Sequence, residues 1–127
     1  MNNALGLVGL AKRAGKIAIG DEQCSIAVRE RKARAIFTAS DASDRTKSWA
    51  ENTNIPHLSL SETKSELGHL FGRASCAQFA LLDIGMAAAV VQKLAANDPS
   101  YISIYDLLSA QAQRAAKRKE KKRSRKG

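Results

Sequence analysis

Residues 77–96 read AQFALLDIGMAAAVVQKLAA. The first six, AQFALL, are short and apolar enough to be a central strand of a sheet. From Ile84 the composition turns to alanine and valine and reads as a helix through residue 96. Asp83, at the joint, has the ordinary role of a helix cap or turn acceptor.

Outward from this unit the same alternation repeats. Asn2 or Asn3 is suited to cap a first helix with apolar positions Leu5, Val8 and Leu10, which Gly15 stops. Lys16-Ile17-Ala18-Ile19 is a short strand, Gly20 turns the chain, and residues 21–31 form a helix buried through Cys24, Ala27 and Val28. Asp21 and Glu22 in its first turn suit the helix dipole. Residues 33–39 (ARAIFTA) are a second strand, and Ser43 caps a helix that carries Trp49 and ends near Asn54. Residues 56–60 are a third strand, with Pro56 at its start, where proline is tolerated. Ser61 is expected to cap a helix running to Phe71, with Gly72 ending it. Four strands alternating with helices predict an α/β domain, layered α-β-α. The domain is read as residues 1–96. Residues 97–127 are an appendage, in which Ser103 and Asp106 resemble a capping box and Ile104, Leu107 and Leu108 form an apolar stripe. The remainder has little to bury and reads as a helix fraying into a basic, partly disordered tail.

Charge is distributed in blocks. Residues 114–127 carry nine bases (Arg114, Lys117, Arg118, Lys119, Lys121, Lys122, Arg123, Arg125 and Lys126) against Glu120 alone, so they hold +8 of the net +9. Residues 1–34 add seven bases against three acids, and residues 35–113 are net acidic. Blocks of one sign point to a polyanionic partner.

Other classes find little support. At 127 residues, 44% of them hydrophobic, the chain can bury one core. No apolar run approaches the ~20 residues of a membrane span. The start is too polar after Leu10 for a secretory signal. Cys24 and Cys76 form no CxxC and are expected to be reduced thiols of a cytoplasmic protein. His57 and His69 have no partners at metal-ligand spacing and are expected to be structural or surface residues. No nucleotide-binding glycine motif, Walker lysine or nucleophile elbow occurs, so no enzyme, metal or cofactor is expected.

Leu7-Val8-Gly9-Leu10-Ala11-Lys12-Arg13-Ala14-Gly15-Lys16, Gly20, Ala39-Ser40-Asp41-Ala42-Ser43 with Thr46, Asn54-Ile55-Pro56, Glu66-Leu67-Gly68 and Phe71-Gly72 fall in order along the chain. This set resembles the bacterial YlxQ-type proteins of the ribosomal L-seven-Ae superfamily, over about residues 4–94. The resemblance implies a mixed four-stranded sheet in an α-β-α sandwich. It also implies a protein that binds RNA, with kink-turns as the family's target, and is associated with the ribosome or its assembly; the chain is expected to be a monomer. The implied RNA-binding residues are Lys16 with Gly20, Asp21, Glu22 and Gln23, and Gly72, Arg73, Ala74 and Ser75. Ile26 stands where archaeal members carry a lysine. The basic tail lies outside the resemblance and is expected to add sequence-independent affinity. A different reading of the same fold is a protein-interaction adaptor whose basic arm binds an acidic partner.

Overall fold

In the computed structural model, residues 3–126 are described in backbone and residues 4–121 also in side chain. The elements follow the expected order: α1 (Asn3–Arg13), β1 (Ile17–Ile19), α2 (Asp21–Arg29), β2 (Ala35–Thr38), α3 (Asp44–Glu51), β3 (His57–Ser59), α4 (Lys64–Leu70), β4 (Gln78–Leu81), α5 (Ile84–Asn97), a 3-10 turn (Pro99–Tyr101) and α6 (Ile102–Lys126). The sheet order is β1-β4-β2-β3. β4 is antiparallel to both β1 and β2, whereas β3 runs parallel to β2. The apolar run at residues 77–82 is thus an inner strand, buried at all four of its paired positions.

Because strand side chains alternate between faces, the two inner strands feed two cores. Ala35, Phe37, Phe79 and Leu81 join α1, α4, α5 and Leu108 of α6 on one face. Ile36 and Ala80 join Cys24, Ala27 and Ala50 of α2 and α3 on the other. On the first face Phe37 stacks on Phe79 at 4.9 Å, and Phe71 meets Phe79 edge-on at 5.3 Å.

Several local expectations shift. In α1 the buried stripe is Ala4, Val8 and Ala11, at helical spacing, and Leu10 falls outside it, 48% exposed. The expected cap at Asn2 or Asn3 lies outside the described side chains. Thr63, not Ser61, caps α4, because only Thr63 has Glu66 three residues on to complete a reciprocal capping box. The turn before α6 is capped by Asp98, whose carboxylate accepts from the Ser100 amide. Ser103 therefore lies inside the helix rather than at its start. Asp83 caps α5 through the Met86 amide, and Asp41 accepts from the Lys64 amide.

Residues 97–126 are packed more closely than their sequence suggested. α5 ends at the same end of the sheet as the C-terminus of β3, where the Tyr101 hydroxyl donates to the Ser59 carbonyl at 2.7 Å. α6 returns along α5, burying Leu108 completely while Leu107 points outward, 46% exposed. Gln111, Ala112 and Ala115 stay half-buried, and the helix is continuous to Lys126. Lys122, Arg123, Arg125 and Lys126 have side chains outside the described residues.

Candidate nucleic-acid interface

The register places four connections at one end of the sheet. Ile19 pairs with Phe79, and Thr38 with Gln78 and Ser59. The turn at Gly20, the β2–α3 loop, the β3–α4 loop and residues 72–77 therefore cluster together. Gly20 has φ 91 and ψ 167, a conformation open essentially to glycine alone. It holds the turn against β4 by donating its amide to the Gln78 carbonyl at 2.9 Å. No side chain caps α2, so the first-turn amides at Asp21, Glu22 and Gln23 face solvent as anion or base-edge donors. A Cβ at Gly20 would stand 3.4 Å from Nη1 of Arg73. The guanidinium thus lies beside the opening of α2.

The partner loop is fastened from beneath. The Arg73 amide donates to the Gly68 carbonyl at 2.7 Å and the Cys76 amide to the Lys64 carbonyl at 2.9 Å. Lys12 Nζ donates to the Phe71 carbonyl. Gly68 is the floor: a Cβ there would lie 2.5 Å from the Ser75 Cα. Gly72, Arg73, Ala74 and Ser75 are all exposed above it.

Of the residues implied by the resemblance, Gly20, Glu22, Gln23 and 72–75 come together as one surface. Asp21 belongs to it but is partly engaged, accepting from the side-chain amide of Gln78 at 2.9 Å. Lys16 is placed elsewhere. Its carbonyl accepts from the Leu82 amide, which sets it at the opposite end of β1, roughly 13 Å from Gly20 along the strand. The strand between them carries it away.

Sequence reading overlooked Gln78. It is 3% exposed, and its Oε1 has no hydrogen-bond partner. It lies at a cavity of about 390 Å³, together with Asp21, Ser25, Ser43, Arg45 and Trp49. Trp49 packs against the second core but is only half-buried and shares this cavity. A glutamine inside an apolar strand gives no warning from sequence that its oxygen will be left unpaired. His57 is structural: its Nε2 lies 2.8 Å from Thr38 Oγ1, and its Nδ1 meets the Glu51 carboxylate. Among the described residues no cluster of His, Cys, Asp and Glu could hold a metal, and no helix is long and apolar enough to cross a membrane.

Both cysteines are free and buried. Burial, with smaller contributions from Cys76 and the Asp21 carboxylate, pushes the Cys24 thiol up to about 12. Burial also raises Cys76. Neither has the depressed pKa of a reactive thiol.

RNA-binding protein YlxQ of Enterococcus faecium is 33% identical over 88 residues, covering 66% of this chain and 84% of its own. A solved structure of a protein with unknown function from Bacillus halodurans superposes with a TM-score of 0.66 at 25% identity, covering 73% of this chain and 97% of its own. The family model described as Ribosomal protein L7Ae/L30e/S12e/Gadd45 family matches residues 2–91, and the chain belongs to that family as a YlxQ-type member.

Proposed function

We propose that the chain is a non-catalytic RNA-binding protein that grips structured, kink-turn-like RNA at the Gly20 end of the sheet, in association with the ribosome or its assembly. The observation that carries this reading is the uncapped start of α2 at Gly20 with the Arg73 guanidinium beside it. The name of the Enterococcus relative supports RNA as the ligand.

In this reading Gly20 lets the RNA approach the backbone closely. The α2 amides and the Glu22 and Gln23 side chains meet base edges, and Arg73 meets a phosphate. Gly72, Ala74 and Ser75 are small enough to lie under unstacked bases. Asp21 is held from beneath by the side-chain amide of the buried Gln78, which fixes its carboxylate at the edge of this surface.

The test is binding of wild type, Gln23→Ala and Arg73→Ala to a kink-turn RNA and to a straight duplex of equal length at fixed salt. Wild type is expected to prefer the kink-turn. Gln23→Ala should lose about 1 to 3 kcal/mol of that preference, by analogy with base readout in DNA, with duplex binding nearly unchanged. Arg73→Ala should weaken both RNAs by a similar factor. Equal wild-type affinity for the two RNAs would refute kink-turn recognition.

A further inference from the structure

The two basic blocks, residues 1–34 and 114–127, are eighty residues apart in sequence, yet the fold joins them. Arg34 precedes β2 and donates its amide to the Leu81 carbonyl, which places it at the end of the sheet opposite Gly20. α6 arrives at that same end. Arg114 and Arg118, one helical turn apart, line an open groove of about 530 Å³ together with Arg34, Ile55, Pro56 and Gln111. Their spacing advances about 6 Å along the helix, the scale on which successive phosphates follow one another in a strand.

Among the described residues no acid lines this groove. Among the described residues none of the three guanidiniums takes part in an ion pair. Three unneutralised forks converging from two elements are matched to phosphate oxygens, which guanidinium binds bidentately. Ile55 and Pro56 give the groove an apolar wall against which a base or ribose can lie. Beyond Arg118 the helix continues for eight residues to Lys126, about 12 Å past this end of the sheet. An extended polyanion suits that shape better than a single phosphate.

We propose that Arg34, Arg114 and Arg118 form a phosphodiester cleft that holds a second, single-stranded segment of RNA at the end of the domain remote from Gly20. This rests on the RNA-binding reading above and adds a second site to it. The basic tail is then a built part of the domain surface rather than a loose arm. An RNA held at both ends has to span the sheet.

The experiment measures binding of a uridine dodecamer across a salt series for the full chain, Arg34→Gln, Arg118→Gln and Lys93→Gln. Lys93 is an exposed base on α5 that neither lines the groove nor belongs to the basic tail, so it controls for charge. Arg34→Gln and Arg118→Gln should each weaken binding about tenfold and reduce the salt slope by about 0.7, while Lys93→Gln changes little. The double variant Arg34→Gln/Arg118→Gln should lose less than the product of the single losses, because both arginines serve one strand. Equal losses in all three single variants would overturn the cleft while leaving RNA binding intact. Displacement of the dodecamer by polyglutamate at equal charge would overturn it in favour of an acidic protein partner. If the full chain binds neither the dodecamer nor a kink-turn, the RNA-binding reading itself fails.

Discussion

Two glycines at the interface are required for different physical reasons, and substitutions separate them. Gly20 has room for a Cβ but a backbone conformation that side chains rarely adopt, whereas Gly68 is helical and lacks room, with backbone atoms of Ser75 and Ala74 within 3 Å of the site of a Cβ. Gly68→Ala must therefore push residues 74 and 75 off α4, at about 1 to 3 kcal/mol. Thermal unfolding should show this cost, and kink-turn affinity should fall with it, since Arg73 moves with the loop. A Gly68→Ala protein of wild-type stability and affinity would mean that α4 does not support the loop. Cys24 gives a second residue-level test. Its thiol is raised in the folded chain, so the stability it contributes is fully present below the ordinary value of 9.0 and is lost as pH rises toward about 12. Over that window wild type should lose up to about 1.4 kcal/mol per pH unit more than Cys24→Ala. Parallel curves for the two proteins in alkaline urea unfolding would exclude this coupling.

At the scale of elements, sequence pattern went far where burial is periodic and failed where helix ends compete. AQFALL at residues 77–82 was apolar enough to be read as a central strand, and its alternation between two cores follows from the pleat. Ser61 and Thr63 both offer a hydroxyl near the start of α4, and the signal that separates them, Glu66 three residues after Thr63 and Lys64 three after Ser61, was present in the sequence and overlooked. Ser103 failed for a related reason: Asp98 starts the turn earlier, and Pro99 fits its first position. The packing of α6 was half legible. Leu108 was expected in an apolar stripe, but the alanines of α6 gave no sign that the helix runs back against α5, with Ala112 and Ala116 lining one open cleft with Gly85, Ala88 and Ala89. Leu108 is fully buried in the main core, so Leu108→Ala should cost about 2 to 5 kcal/mol. Urea unfolding monitored at Trp49, on a different element, should register that loss. A variant within about 0.5 kcal/mol of wild type would show that α6 is energetically separate from the domain.

At the scale of the whole molecule, charge and chemistry sit at opposite ends of one sheet. The Gly20 end combines the guanidiniums of Arg73 and Arg45 with the carboxylates of Asp21 and Glu22, the mixture of signs on which the proposed discrimination between bases rests. The other end gathers cations, from Lys16 and Arg34 to the exposed Arg114, Arg118 and Lys121. Sequence alone showed both blocks of charge but not that they share an end, because that depends on α6 reversing at Tyr101 and running back along α5. Lys16, grouped with Gly20 by the resemblance, lies at the other end of β1, because a strand separates residues that are near in sequence. Removing residues 114–127 should therefore subtract affinity without subtracting selectivity. The truncated chain is expected to bind every RNA more weakly, with a salt slope lower by about 0.7 for each single-strand phosphate that the tail no longer neutralises. Its preference for a kink-turn over a duplex should stay at the wild-type ratio, because no part of the Gly20 surface is removed. Leu108 and the half-buried Gln111 and Ala112 remain in place to hold what is left of α6. A truncated protein that keeps the full salt slope would show that the tail does not touch RNA, whereas one that loses the kink-turn preference would show that the two ends act as a single site.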